Sequence, residues 1–201
     1  MADSIKKADH LFTYGEYCSW PEDERWEIIN GIAYSMSPAP TTNHQAAAIH
    51  LASELFQYLK QKECQVFSAP FDVILPEDIN NHEAEAKTVV QPDITVICDK
   101  TKLTKAGCKG TPDLIMEVLS PSTAKKDLNE KFTLYEKHGV KEYWIVDSAA
   151  EYIRIFVLDD AGKYDYGTLV PPADGEKEDV TAVSIVLPEF TINTTELFES
   201  I

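Results

Sequence analysis

The stretch "TPDLIMEVLSPSTAKKDLNEK", residues 111–131, carries the centre of the fold. Its first half is apolar on both alternating faces, Leu114, Met116 and Val118 against Ile115 and Leu119, as an interior strand covered on two sides must be. Ser-Pro-Ser-Thr then breaks the chain, and a helix is expected over roughly 123–138, closed by Gly139. The strand "EYWIVD" follows. Strand, helix and strand within about 35 residues make a β-α-β unit, which calls for a parallel pair joined by a right-handed crossover. One residue breaks the apolar pattern. Glu117 shares a face with Asp113, Ile115 and Leu119, where an unpaired carboxylate costs several kcal/mol or takes up a proton. It therefore needs a cation, either a basic side chain or a metal.

The following helix offers one. Its apolar stripe is read as Leu128, Phe132 and Tyr135, and Lys131 falls on that stripe rather than on the solvated face. Lys131 lies about eight residues into the helix, roughly 12 Å at ~1.5 Å per residue, and Glu117 roughly 10 Å from the strand's end at ~3.3 Å per residue. The two side chains are thus expected to meet at one height. Asp93, in "QPDI", opens a second apolar strand whose Ile94 and Val96 face elsewhere. If the two strands are neighbours, Asp93 and Glu117 converge on one hard cation through oxygen ligands, with water completing the shell as Mg2+ prefers. Two carboxylates, a divalent ion and a lysine suit phosphodiester hydrolysis: the ion polarises the phosphate and acidifies water, and the lysine balances developing charge. Read individually, the same residues are ordinary, a buried Glu-Lys pair, a turn aspartate after proline, and an i, i+4 pair from Asp127 to Lys131.

Outward from this centre, "RWEIINGIAYSM" places Asn30-Gly31 between two strand-like runs, the strongest short signal for a hairpin. "SPAPTTNHQ" breaks the chain, and Thr42 or Asn43 is expected to cap a helix running to about residue 61, with Ala48, Leu51, Leu55, Tyr58 and Leu59 at helical spacing and His44 on the same stripe. "CQVFSAPFDVIL" and "VVQPDITVICD" are β-rich, separated by an exposed acidic loop. "YIRIFVLD" and "SIVLPEFTINTTELF" add a strand, a polar loop, a short strand and a closing helical turn. Ser120, Ser122 and Thr123 lie in no nucleophile elbow, and helix capping by Ser122 or Thr123 accounts for them. Trp26, Tyr143, Trp144 and Tyr152 are expected to pack rather than to stack on bases.

The chain has 201 residues, 44% of them hydrophobic, enough for one core, and a single domain over 1–201 is expected. No apolar run is long enough to span a membrane, and the N-terminus lacks the order of a signal peptide, so the expectation is a cytoplasmic protein. Cys18, Cys64, Cys98 and Cys108 form no CxxC pair and are read as free thiols. The formal net charge of -16 opposes any partner held mainly through phosphates. The local answer is a run of lysines, Lys100, Lys102, Lys105 and Lys109.

"ERWEIINGIAYSMSPAPTTNHQ", "VVQPDITVICD", the block 111–147 and "LPEFTINTTELF" together resemble the Uma2 family, also described as DUF820, of restriction endonuclease-like proteins in the PD-(D/E)XK nuclease superfamily. The resemblance spans nearly the whole chain. It implies an α/β, restriction-endonuclease-like core, a mixed β-sheet flanked by helices with an N-terminal β-hairpin and a magnesium site. Carried over by position, Pro92-Asp93 matches the PD element and Glu117 the second acidic ligand. The lysine expected two residues after the glutamate is replaced by Leu119, and Lys131 stands in as a lysine migrated to the helix. Glu27 and His44 match recurring positions of the N-terminal block; Glu27 would add a metal contact, and His44 would touch substrate phosphate or metal-bound water. Gln91 would orient a carboxylate or contact substrate.

The expected activity is Mg2+- or Mn2+-dependent hydrolysis of DNA phosphodiesters. Asp93 and Glu117 would hold the metal and Lys131 assist, with Glu27 and His44 in support, in a chain that works as a homodimer because a duplex has two strands to cut. The rival is a non-catalytic fold serving as an acidic protein-interaction module, which the charge favours.

Overall fold

The structure is a computed structural model that describes residues 6, 7, 10–21, 23–36, 40–171 and 180–201, Lys6 and Lys7 as backbone only. Residues 37–39 of the expected break before the first long helix, and 172–179 of the polar loop, lie outside the described residues. In chain order the elements are β1 (Lys6–Lys7), α1 (Tyr14–Tyr17), β2 (Trp26–Ile29), β3 (Ile32–Ser35), α2 (Thr42–Leu59), β4 (Gln65–Ser68), β5 (Asp72–Ile74), β6 (Val89–Val90), β7 (Ile94–Ile97), β8 (Gly107–Lys109) and β9 (Leu114–Val118). After them come α3 (Ala124–Lys126), a π-helical turn Asp127–Lys131, α4 (Phe132–His138), β10 (Glu142–Asp147), β11 (Tyr152–Val157), β12 (Thr168–Val170), β13 (Thr181–Val183), β14 (Thr191–Asn193) and α5 (Thr194–Glu199).

Among the described residues the strands make two mixed six-stranded sheets, ordered β12-β11-β10-β9-β7-β4 and β1-β3-β2-β6-β5-β8, and the pair β13-β14. The expected β-α-β unit is present: β9 and β10 are parallel, with Glu117 opposite Ile145. The central strands of the first sheet are buried on both faces, which explains why β9 is apolar on both sides apart from Glu117. Leu114, Met116 and Val118 pack with Leu51 and Leu55 of α2 and Leu197 of α5, while Ile115 and Leu119 join Leu134 and Tyr135 of α4 and Val73 and Val90 of the other sheet. The hairpin β2-β3 turns at Asn30 (φ 50°) and Gly31 (φ 82°), the positive angles its sequence announces. It is not an appendage, since β2 continues through β6 into the second sheet.

Three local expectations are corrected. Helix α2 is capped by Thr41, not Thr42 or Asn43: the Thr41 hydroxyl accepts from the His44 N–H, one residue earlier than the pattern suggested, and the helix ends at Leu59. Neither Ser122 nor Thr123 caps α3 through its side chain; instead the Ser120 hydroxyl accepts from the Thr123 N–H at 3.3 Å. Cys64 and Cys98 are joined in a disulfide rather than free. Antiparallel β4 and β7 set Gln65 opposite Ile97, so the next pair outward is Cys64 opposite Cys98. Denatured, unreduced protein should therefore titrate only the two thiols of Cys18 and Cys108, and all four cysteines after reduction. Four thiols before reduction would rule the bond out.

Candidate active site

Strands β7 and β9 are antiparallel neighbours with Ile94 opposite Met116, which brings Asp93 opposite Glu117. The Asp93 N–H donates to Glu117 Oε2 at 3.4 Å, and the Val118 N–H donates to Asp93 Oδ2 at 2.8 Å. His44 is set in the first turn of α2 by the Thr41 cap, and its Nε2 lies 3.1 Å from the same Asp93 oxygen. The two strands are neighbours, as convergence of Asp93 and Glu117 requires, and the two residues touch through the Asp93 N–H and the Glu117 carboxylate.

Lys131 reaches Glu117 at the height expected: its Nζ donates to Glu117 Oε1 at 2.7 Å and lies 2.8 Å from Glu27 Oε1. How the helix presents it was not legible. Residues 127–131 form a π-helical turn, a wider turn that shifts the facing of the residues after it. The stripe is therefore Asp127, Lys131, Leu134 and Tyr135, all buried, and Leu128, assigned to it from spacing, is 40% exposed. The Tyr143 hydroxyl, arriving from β10, donates to the Asp127 carbonyl at 3.1 Å, satisfying a group in the irregular turn. Tyr135 donates to Glu117 Oε1 at 2.8 Å. Neither tyrosine's role was foreseen, because each depends on register between elements distant in sequence.

Glu27, in β2 of the hairpin, is fully buried. Its Oε1 accepts from the Gln91 N–H at 3.0 Å and its Oε2 from Lys126 at 2.6 Å, in addition to the Lys131 contact. With both oxygens occupied, Glu27 acts on the site by fixing two lysines. Lys126, missed in the sequence, also lies 5.5 Å from the Tyr34 ring centre. Asp127, read as one half of an ordinary i, i+4 helix pair, is buried 3.6 Å from Lys131, and its Oδ1 has no hydrogen-bond partner among the described residues. Asp113 sits apart, bonded to Lys141 at 2.7 Å and to the Cys98 N–H at 2.8 Å.

The electrostatics follow from four carboxyl groups gathered around two lysines. Burial alone would raise Glu27, but the Lys131 and Lys126 ammoniums overcome it and bring its carboxyl down to about 2. Burial pushes Glu117 up to about 8; Lys131 opposes this, and the negative Asp127, Asp93 and Glu27 add to it. Asp127 is pushed up to about 6 in the same way. Burial works against the charge on Lys131, yet Glu117, Glu27 and Asp127 hold its ammonium well above the ordinary lysine range. Lys131 is therefore a permanent cation and hydrogen-bond donor rather than a base.

This donor set fits a hard divalent ion. Glu117 Oε1 and Asp93 Oδ2 are taken by protein donors, which leaves Glu117 Oε2 and Asp93 Oδ1 as the less committed oxygens of adjacent residues. A cation there would also relieve the excess of negative charge that raises Glu117. Among the described residues no three His, Cys, Asp or Glu side chains are grouped to hold an ion, so the proposed ligands are the two carboxylates alone.

These groups line a cavity of about 610 Å³, which Ala52 of α2, Arg25, Gln91 and Lys126 also line. The lysine run expected to offset the acidic charge is elsewhere: Lys100, Lys102, Lys105 and Lys109 do not line it, and Lys102 and Lys109 bond to the Thr111 and Asn81 carbonyls.

A mixed sheet whose neighbouring strands present Asp93 and Glu117, answered by a lysine from the crossover helix, defines a restriction-endonuclease-like fold. The chain belongs to the Uma2 family, described as "Putative restriction endonuclease", which it matches over residues 14–195. It is 26% identical over 152 residues to the uncharacterized protein slr1290 of Synechocystis sp. (strain ATCC 27184 / PCC 6803 / Kazusa), covering 74% of this chain and 75% of that protein. It is 28% identical over 142 residues to sll1609 of the same organism, covering 68% and 75%. A crystal structure of "a putative nuclease belonging to DUF820" from Anabaena variabilis ATCC 29413 superimposes with a TM-score of 0.71 at 19% identity, covering 94% of this chain and 98% of that one. That likeness speaks for the fold. Among the described residues no helix is long and apolar enough to cross a membrane.

Proposed function

We propose that the chain is a single-domain, Mg2+- or Mn2+-dependent endonuclease that hydrolyses DNA phosphodiester bonds, working in the cytoplasm as a homodimer so that two sites meet the two strands of a duplex. The observation that carries the reading is the placement of Lys131 Nζ within 2.8 Å of both Glu117 and Glu27, beside Asp93, in a cavity. Asp93 and Glu117 would hold the metal, which supplies a polarised phosphate and a more acidic water. Lys131 directs its ammonium at charge developing on the phosphate, with Glu27 fixing its position. His44 holds the Asp93 carboxylate in place from the first turn of α2.

Calorimetric titration of Mg2+ or Mn2+ into wild type, Asp93→Ala and Glu117→Ala, with nicking of supercoiled plasmid in parallel, tests this. Binding and nicking should be present in the wild type and absent from both variants. The pH dependence has a definite sign. Glu117 is protonated below about 8, and a proton on it competes with the metal, so metal affinity should rise as pH increases from 6 to 8. Absence of metal binding in the wild type, with Glu117→Ala altering only stability, would replace this reading with the acidic interaction module that the charge of -16 favours.

A further inference from the structure

The nuclease reading leaves an electrostatic problem: a chain of net charge -16 must admit a polyanion to a cavity that already holds four carboxyl groups. Lys131 and Lys126 are both committed to Glu27. Among the described residues of the cavity wall, the remaining cation is Arg25, which immediately precedes β2 and whose carbonyl accepts from the Met36 N–H at 2.9 Å. Among the described residues no carboxylate forms an ion pair with it. Its partner is instead the neutral amide of Gln91, whose Oε1 accepts from Arg25 Nε at 3.2 Å and Nη2 at 2.7 Å.

Gln91 is buried and is itself held. Its Nε2 donates to Asp72 Oδ1 at 2.8 Å and lies 3.4 Å from the Tyr17 hydroxyl, while Tyr14 donates to the other Asp72 oxygen at 3.0 Å. The amide orientation is dictated from both ends, carboxylate toward its nitrogen and guanidinium toward its oxygen. The backbone N–H of the same residue donates to Glu27. One glutamine therefore couples the orientation of Arg25 to the carboxylate that fixes Lys126 and Lys131. A neutral acceptor aims the guanidinium while leaving its charge unneutralised and its Nη1 edge for another acceptor, the geometry suited to a phosphate.

Resting on the phosphodiesterase reading, we infer that Arg25 binds a backbone phosphate of the nucleic-acid strand entering the cavity, and that Gln91 is the residue that positions it. The test is fluorescence anisotropy of a labelled duplex of about 20 base pairs, with Ca2+ in place of Mg2+ to suppress cleavage, over about 50 to 200 mM salt. Arg25→Ala should weaken binding about tenfold and reduce the slope of log affinity against log salt by about 0.9, the loss of one phosphate contact. Arg25→Lys should keep the wild-type slope. Gln91→Ala should weaken binding with the slope unchanged, because the charge remains and only its aim is lost. Arg25 is exposed, and thermal melts of its variants should match wild type. A wild-type slope in Arg25→Ala, with the wild type binding DNA, would overturn this assignment alone. A wild type that binds no DNA would overturn the nuclease reading and this assignment with it.

Discussion

Replacing Lys131 with methionine is expected to abolish plasmid nicking and to destabilise the fold by about 3–5 kcal/mol, the range for removing one partner of a buried ion pair. Both effects come from one nitrogen. Lys131 Nζ is the shared donor to Glu117 Oε1 and Glu27 Oε1, 4% exposed on its side chain between carboxylates that are themselves buried. Methionine fills the volume but leaves two buried carboxyl groups facing each other. Glu27, held down at about 2 by Lys131 and Lys126 together, keeps Lys126 and the Gln91 N–H; Glu117 is left with the Tyr135 hydroxyl and the Asp93 N–H. Nicking should fall by on the order of a thousandfold, as when a donor aimed at developing charge is removed. Urea denaturation reads the stability. Because the single variant could lose activity by unfolding, the double variant Lys131→Met, Glu27→Gln is decisive: removing a buried charge should recover part of the stability and none of the nicking. Recovery of nicking in the double variant would make Lys131 a structural counter-ion only. Lys126→Met should be milder, since Glu27 then retains Lys131 and Gln91.

The parts of the site that the sequence disclosed are those set by strand arithmetic. Alternation along β9 put Glu117 on the helix-facing side, and counting rise per residue brought Lys131 to it. The Asn-Gly turn announced the hairpin that carries Glu27. The features that stayed hidden depend on geometry that no local pattern encodes. A π-helical turn is set by the tertiary environment of Asp127–Lys131, including the Tyr143 hydroxyl sixteen residues onward, and without it Asp127 reads as half of an ordinary helix pair and Leu128 as core. The partners of Glu27 stay hidden until the second sheet and the Lys126–Lys131 turn close over its face of β2. The Cys64–Cys98 bond required the register of β4 on β7, and spacing alone does not supply that. The sequence points to the densest run of lysines for the cation that meets an incoming phosphate, yet those lysines do not line the cavity, whose wall carries the isolated Arg25 of "DERWE".

Glu142→Leu should have an effect of comparable size without touching the cavity, and it separates stability from chemistry. Glu142 opens β10 fully buried on the face packed against α2 and α5. Its Oε1 accepts from the Trp144 indole, and its Oε2 from Ser184 Oγ at 2.9 Å, the Ile185 N–H at 2.9 Å and the Val186 N–H at 2.7 Å. The carboxylate thus ties the turn after β13 to the central sheet. Leucine would leave an indole N–H, a hydroxyl and two backbone N–H groups without their acceptor, at about 1–3 kcal/mol for each that stays buried, so a loss of about 4–6 kcal/mol is expected. Glu142→Gln keeps the shape and one acceptor oxygen and should cost about half as much. The consequence travels to the site through α2, which the C-terminal segment braces where Tyr58 bonds to the Pro188 carbonyl and Ser200 lies 3.2 Å from His50 Nδ1. A looser brace should raise amide exchange in residues 180–201 and in α2, where His44 steadies Asp93, before it reaches β9. Metal affinity measured where the variant is still folded should stay within a few-fold of wild type, because Asp93 and Glu117 stand on β7 and β9 rather than on α2. Exchange that rises uniformly across all elements would show that Glu142 supports the whole sheet rather than its C-terminal brace.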